Sequence, residues 1–457
     1  MIKGRIVLFV SSYYFKLLQV QIMPPSKSTK TQSPVYIIDG SRTPFLKAAG
    51  KPGAFKAIDL ALGAGKPLLA RQSFSADQID EVILGCVMPG PEEANIGRLL
   101  ALRLGCGEQV TGWTVQRNCA SGMQALDCAA TQIITGRADL VVAGGTEAMS
   151  HAPLLFNDKM VLWFAKLFQA RSLSAKIQIF SQLRGFHLKP VIALLKGLTD
   201  PTVGLSMGQT AENIANRFNI NRQMMDQYAM QSHQRLALAQ DNHRLDEIEA
   251  LYDHQGNVYQ KDTGLRRDSS VEKLAKLKPY FDRKVGMVTA GNSAQITDGA
   301  CLLLLASESA VKKYKLTPIG KIADTQWSGL SPAQMGLGPA HAMSPILQRK
   351  RLKLDKIDYW EINEAFAAQV LACLEAWKDP KYCQTELNRR QIIGEIDPEK
   401  LNIDGGGVSL GHPVGASGAR IVLHLLKTLQ RTNSKRGIAS LCIGGGQGGA
   451  MLIENVG

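Results

Sequence analysis

Four polar residues stand out because of what flanks them: Cys119, His412, Cys442 and Asn363. Cys119 follows the strand-like run Thr114-Val115-Gln116-Arg117-Asn118 and precedes a helical pattern that starts at Ala120. A thiol at such a turn meets unpaired N–H groups and the positive end of the helix dipole, which favour its thiolate over an ordinary pKa of about 8.5. The sharp turn also exposes the sulfur, as a nucleophile elbow does. His412 lies in Gly411-His412-Pro413, where small neighbours hold an imidazole in one orientation and let a substrate approach the backbone. Cys442 ends an apolar run and precedes Gly444-Gly445-Gly446. A thiol there could exchange a proton with a substrate carbon, and the Gly444 N–H could face an oxyanion. Asn363 opens Asn363-Glu364-Ala365-Phe366, and its amide could donate to a carbonyl directly or through water. Each also has a structural reading: core thiols for the cysteines, a satisfied structural histidine, and a helix N-cap for Asn363.

The elements that must position these groups come in two similar sets. A buried strand is expected at 35–38, followed by a loop over 39–44, a helix over 56–72 and a second buried strand at 82–85. After Cys119, the positions Met123, Leu126, Ala130, Ile133 and Ile134 define one apolar helical face, ended by Gly136. The strand 140–143 follows, closed by Gly144-Gly145. Near the C-terminus the pattern returns. Gly405-Gly406-Gly407 leads to His412, a helix from about Gly415 presents Ile421, Leu425 and Leu429, and the strand 438–442 is closed by Gly444-Gly445-Gly446. Such a repeat argues for an α/β protein of two similar halves with mostly buried sheets. Between the halves, 208–240 reads as two helices, the second capped by Asn221, and 255–285 is charged and turn-rich. This middle reads as an excursion inserted into the first half.

Composition narrows the class. The 457 residues are 45% hydrophobic, enough for two or three domains with large cores. Lys and Arg number 53 against 39 acids, for a net charge of +14. That balance suits an anionic partner, such as a phosphorylated substrate or an anionic membrane. No zinc-finger spacing or nucleic-acid signature accompanies it, so no nucleic-acid partner is expected. The eight cysteines form no CxxC pair or secreted framework, which fits a reducing compartment. No apolar run reaches about 18 residues, so no spanning helix is expected. Residues 1–33 read as a leader that does not belong to the folded body. Met23 is an alternative start, and no clear secretory signal precedes it. Residues 159–196 hold Lys159, Lys166, Arg171, Lys176, Arg184, Lys189 and Lys196, with no acid and with interleaved aromatics. Such a stretch fits either an anionic membrane surface or a helix packed on the body or a partner chain.

Seven stretches, in order, resemble the thiolases: 39–44 (DGSRTP), 118–125 (NCASGMQA), 143–150 (AGGTEAMS), 289–300 (TAGNSAQITDGA), 363–367 (NEAFA), 405–420 (GGGVSLGHPVGASGAR) and 442–450 (CIGGGQGGA). The resemblance implies a thiolase fold with two similar α-β-α-β-α halves, at 34–309 and 310–457, and a loop domain inserted at about 152–284. It implies Cys119 as the acyl-accepting nucleophile, His412 as its activator, Cys442 as acid/base on the acetyl carbon, and Asn363 in one oxyanion hole. The N–H groups of Cys119 and Gly444 would form the other hole. Met207, Arg266, Phe281, Ala290, Ala365 and Phe366 match coenzyme A-binding positions. Ser206 and Ala294 stand where many biosynthetic members carry His and Ser, so those contacts must differ in detail. Coenzyme A enters as a substrate, and neither a cofactor nor a metal is expected.

The long basic insertion is similar to that of β subunits of fatty-acid-oxidation complexes. That implies a degradative 3-ketoacyl-CoA thiolase, a homodimer or dimer of dimers, a hydratase/dehydrogenase α subunit as partner, and membrane or partner contact through 159–196. The expected location is the cytoplasm, peripheral to a membrane, or the mitochondrial matrix in a eukaryote. The alternatives are a biosynthetic acetoacetyl-CoA thiolase and a non-catalytic acyl-CoA- or lipid-binding relative.

Overall fold

Burial along the strands is continuous, and neighbouring side chains face opposite layers. In the strand Leu140–Ala148, Val141 and Ala143 join one core while Leu140 and Val142 join another. The computed structural model describes residues 33–457. The expected leader lies outside the described residues apart from Ser33, and so does the alternative start at Met23.

Nine strands carry the architecture: β1 (Val35–Arg42), β2 (Glu81–Gly85), β3 (Thr111–Val115), β4 (Leu140–Ala148), β5 (Thr297–Ala306), β6 (Gly320–Gly329), β7 (Tyr359–Ile362), β8 (Arg436–Ile443) and β9 (Gln447–Asn455). They run in the order β7-β8-β9-β6-β1-β5-β4-β2-β3, with the two-residue strand Leu46–Lys47 beside β5. The repeat is visible in the pairing. In the first half β2 and β4 are parallel, β4 and β5 antiparallel, and β5 and β1 antiparallel. In the second half β7–β8, β8–β9 and β9–β6 repeat those three relations. β3 is an extra edge strand of the first half, and β1 joins β6 through Val35–Ile322 and Ile37–Gly320.

The principal helices are α1 (Ala57–Ala70), α2 (Ile96–Arg103), α3 (Ser121–Ile134), α4 (Asp158–Gln169), α5 (Leu173–Phe180), α6 (Met207–Arg217), α7 (Arg222–Asp241), α8 (Gly338–Arg349), α9 (Ala367–Lys378) and α10 (Val414–Arg431). One core joins α3 and α10 to one face of both halves: Leu303 and Leu305 from β5, Leu441 and Ile443 from β8, Met451 and Ile453 from β9. The opposite faces pack against α1 and α2 in the first half and against α8 and α9 in the second. The stack is therefore helix, sheet, helix, sheet, helix, and its middle layer is shared, one helix from each half. Each large aliphatic side chain buried there contributes about 1.5–3 kcal/mol.

The halves differ in one connection. β8 and β9 are joined by the turn 444–446, whereas β4 and β5 are joined by 149–296. The excursion thus leaves the sheet over a wider span than the expected 152–284. Its helices α6 and α7 fall where the periodicity places them, with Asn221 Oδ1 accepting from the Met224 N–H.

Three local expectations change. β1 does not stop at Ile38 but runs to Arg42, because a register shift after Ile37 lets Asp39–Arg42 pair with β5. β4 is not closed by Gly144-Gly145 but continues to Ala148, since both glycines pair with β5. Ile134 is exposed, one turn end beyond the buried face of α3. Among the described residues no helix is long and apolar enough to cross a membrane.

Buried charges tie the excursion to the body. Arg42 contacts Glu247 at 3.1 Å and Asp262 at 2.7 and 3.0 Å. His424, inside α10, meets Glu247 at 3.0 Å and Asp404 at 3.3 Å, and Arg431 also pairs with Asp404. Burial opposes the charge of His424, but Glu247 and Asp404 outweigh it and lift its pKa to about 10. Burial likewise opposes Asp404, but His424 and Arg431 bring it down to about 2. A raised histidine stabilises the fold fully below its unfolded pKa of about 6.5 and loses that contribution as pH rises toward 10. A depressed carboxylate acts fully above about 4 and loses its contribution as pH falls toward 2. Urea unfolding is therefore expected to show its largest His424 contribution between about pH 4 and 6.5. His424→Gln should cost about 3 kcal/mol there and flatten the decline between pH 6.5 and 10. An unchanged decline would contradict the assignment.

Candidate active site

Cys119 and His412 hold the same place in the repeat: each stands two residues before one of the two central helices, α3 and α10. Those N-termini cross at bare backbone. A Cβ on Gly122 would lie 2.7 Å from the Gly415 oxygen, and one on Gly145 only 1.9 Å from it. Any side chain at these positions would push the helices apart and separate Cys119 from His412.

The turn before α3 is set by Asn118 at φ 43°, a left-handed conformation that Asn tolerates better than most residues. Ser121 Oγ accepts from the Arg117 N–H at 2.8 Å and donates to the Asn118 oxygen at 2.7 Å. Asn118 Nδ2 donates to the Gly444 oxygen at 2.9 Å, which locks this turn to the glycine turn after β8. The N–H groups of Gly444 and of Cys119 itself both point at the Cys119 sulfur. Burial raises the thiol's pKa, and these two donors only partly offset it. The expectation that the turn favours the thiolate is thus corrected. The helix begins at Ser121, so Cys119 has two aimed N–H groups rather than a full helix terminus, and it rests as a thiol.

Cys442 is buried at the end of β8, close enough to Cys119 for their charges to interact. Burial, then a Cys119 thiolate, push its pKa well above the ordinary thiol value. A thiol held protonated in this way is suited to donating a proton.

His412 is buried, and its N–H donates to the Gln295 oxygen at 3.1 Å. Its Nδ1 lies 2.6 Å from Ser417 Oγ, whose hydrogen goes to the Pro413 oxygen at 3.0 Å. Ser417 must then accept, so Nδ1 carries the ring proton and Nε2 keeps the lone pair. Burial, then the charge of Arg420, lower this imidazole to about 4, so it is neutral near pH 7.

Asn363 follows β7 and is not a helix cap: α9 begins later, at Ala367, with Phe366 as its N-cap. Asn363 Nδ2 stands 3.4 Å from Nε2 and 3.5 Å from Nδ1 of His412, and its buried Oδ1 has no protein partner. The backbone around it is fixed by the end of the excursion, through Ala294 N–H to the Ala365 oxygen and Ala367 N–H to the Asn292 oxygen, both 2.9 Å.

Four of the six expected coenzyme A positions lie together. Ala365 and Phe366 are buried, Met207 and Phe281 pack on the same core, and the Phe281 and Phe366 rings meet edge-on at 5.9 Å. Met207 Sδ lies over Gly444, 3.3 Å from where a Cβ would stand. Arg266 and Ala290 are exposed. The Arg266 N–H donates to His233 at 3.2 Å, and burial followed by the Arg266 and Lys47 charges lowers His233 to about 4. Ser206, where the expected histidine is missing, caps α6 through a reciprocal bond with Gln209.

Sequence reasoning passed over four residues. Asn118 and Ser417 are adjacent in sequence or one turn from the groups they set. Glu147 was legible only as an acid within an apolar strand. It accepts from the N–H groups of Val87, Met88 and Gly415 at 2.9–3.0 Å, so it holds the start of α10, and burial raises it to about 7. Glu364 accepts from Tyr228, Ser232, Asn402 and the Val408 N–H at 2.7–3.2 Å, tying the Asn363 loop to the loop before His412.

The frame carries two thiols and a neutral imidazole on five α/β layers, and the chain belongs to the thiolase family. Residues 35–309 match the thiolase N-terminal domain and 316–455 the thiolase C-terminal domain. The chain is 36% identical over 429 residues to a 3-ketoacyl-CoA thiolase of Yersinia pestis (strain Pestoides F), covering 93% of this chain and 98% of that one. Among solved structures it is similar to the Bacillus anthracis acetyl-CoA acetyltransferase, with TM-score 0.79, 35% identity, and coverage of 93% of this chain and 99% of that one. It is also similar to human mitochondrial 3-ketoacyl-CoA thiolase in complex with CoA, with TM-score 0.78, 34% identity and the same coverage.

Ser417→Ala should release the His412 tautomer. Nitrogen-15 NMR is expected to show Nδ1-protonated imidazole in the parent and a mixture in the variant. The turnover number should drop by about ten-fold or more, with KM unchanged. Equal tautomer populations in both proteins would rule the reading out.

Proposed function

We propose that this protein catalyses thiolytic cleavage of 3-ketoacyl-CoA to acetyl-CoA and a shortened acyl-CoA, the degradative direction of thiolase chemistry. The observation that carries it is the pairing of an N–H-facing thiol, Cys119, with a second thiol, Cys442, that burial keeps protonated.

Cys119 attacks the 3-keto carbon and its proton passes to Nε2 of His412. The carbon–carbon bond breaks, acetyl-CoA departs as an enolate, and Cys442 protonates its carbon. The acyl group now rests on Cys119. Free coenzyme A gives its thiol proton to the Cys442 thiolate and attacks the acyl-enzyme. Cys119 leaves as a thiolate and recovers its proton from His412, so all groups return to their resting state. The N–H groups of Cys119 and Gly444 face one oxyanion, and Asn363 with His412 and a water faces the other. Each such donor is worth about 100- to 1000-fold in rate. Met207, Phe281, Ala365 and Phe366 line the pantetheine path with Ala290, and the exposed Arg266 offers a guanidinium to a phosphate.

Cys119→Ala is expected to abolish the acyl-enzyme seen by intact-protein mass spectrometry, and an adduct on another residue would move the nucleophile elsewhere. Cys442→Ser should slow carbon–carbon cleavage at least about 100-fold more than acyl exchange onto Cys119; equal losses would remove its proton-transfer role. Chain-length profiling separates the biosynthetic alternative. Turnover of 3-ketoacyl-CoA substrates longer than four carbons is expected, and activity confined to acetoacetyl-CoA would defeat the degradative reading.

A further inference from the structure

One acid lies within an otherwise apolar strand. Glu147 stands in β4 between Thr146 and Ala148 and is fully buried. Burying a carboxylate is costly unless its oxygens are satisfied. Here every hydrogen-bond partner is a donor. Oε2 accepts from the N–H groups of Val87 at 2.9 Å and Gly415 at 3.0 Å. Oε1 accepts from the Met88 N–H at 3.0 Å and lies 3.7 Å from the Cys86 sulfur. Three elements thus meet on one carboxylate: β4, the loop after β2 and the first turn of α10. An amide cannot match this, since its NH2 would face an N–H on one side.

The placement points at the reacting histidine. Gly415 is the second residue of α10, and only Pro413 and Val414 separate it from His412. Its N–H is one of the donors a helix leaves unpaired at its start, and the helix dipole favours an anion there. The fit leaves no room for a side chain: a Cβ on Gly415 would lie 2.8 Å from Glu147 Oε2 and 2.3 Å from the Thr146 oxygen. We propose that Glu147 is a positioning residue for His412: its carboxylate pins the start of α10 to the β2 loop and keeps the imidazole at the Cys119 turn. The proposal rests on the thiolysis reading, in which His412 takes the Cys119 proton.

The surroundings leave this carboxylate able to titrate. Cys86 and Cys119 are thiols with raised pKa values, and His412 is neutral. Arg420 of α10 pairs with Glu361, Lys56 before α1 with Glu92, and Asp298 of β5 accepts from Ser150. Glu93, beyond Cys86, accepts from the Ile58 and Gly90 N–H groups. Burial raises Glu147 to about 7 against the pull of its own donors. A proton taken up there removes an acceptor from the clamp. Turnover should therefore fall as pH drops through about 7, a range in which His412, at about 4, does not titrate.

The test compares Glu147→Gln, which keeps the size and loses the charge, with Glu147→Asp, which keeps the charge and loses the reach. Each should lower kcat about ten-fold or more while KM for the acyl-CoA stays within about two-fold. Glu147→Gln should also lose the acidic limb. Parent kcat in Glu147→Asp, or the acidic limb retained in Glu147→Gln, overturns the proposal. A second readout uses no acyl-CoA. Iodoacetamide alkylation of Cys119, followed by peptide mass spectrometry, should slow by about five-fold or more in both variants, because the base is displaced. The Glu147 charge by itself raises the Cys119 pKa. Loss of that charge without displacement would speed alkylation, so a faster or unchanged rate in Glu147→Gln overturns the proposal. If Glu147→Gln does not fold, Glu147→Asp decides by the same two measurements. A parent inactive in thiolysis counts against the proposed reaction alone, since alkylation still judges the clamp.

Discussion

The structure depends on one contact without side chains, the crossing of α3 and α10 at Gly122, Gly145 and Gly415. A helix pair normally keeps 8–10 Å between axes because side chains stand between them. Here backbone meets backbone at the two N-termini, so the residues just before each helix are brought to one point. Cys119 comes from the first half and His412 from the second. The layered stack around them, with both sheets pressed on the same helix pair, supplies the apolar burial that keeps the crossing closed.

That burial also sets the chemistry. A dry surrounding disfavours charge, so Cys119 and Cys442 rest as thiols and His412 as a neutral imidazole. The three groups then differ in what offsets the burial. Cys119 has two aimed N–H donors. Cys442 has only its own N–H and faces another thiol. His412 has its tautomer fixed by Ser417 and Pro413. The two cysteines thus differ in how far burial is offset, and the difference lies in the backbone beside them.

The excursion also serves the site. Its return segment, 292–295, bonds to the loops that carry Asn363 and His412. Its Glu247 and Asp262 meet Arg42 in the sheet, and Glu247 also meets His424 in α10. A pairing that spans sheet, helix and excursion makes the insertion part of the folded body, although its α4 and α5 present apolar side chains to solvent.

By itself the sequence determined the repeat, the main strands and helices around it, and the four reactive side chains, because periodicity and glycine placement are local properties. Cys119, His412, Cys442 and Asn363 were each legible from the turn that holds them. Tertiary structure alone decided how their turns are brought together, since they lie up to some 320 positions apart: the crossing of α3 and α10 joins those of Cys119 and His412, Asn118 ties in the turn after Cys442, and the return segment 292–295 ties in the loop of Asn363. It also decided where β1 and β4 end, because pairing with β5 overrides the local turn signal. Finally, it decided that Asn363 is no helix cap and that burial outweighs the N–H groups that favour the Cys119 thiolate. Protonation follows from burial and from which N–H groups face the sulfur, and neither is written in the neighbouring residues.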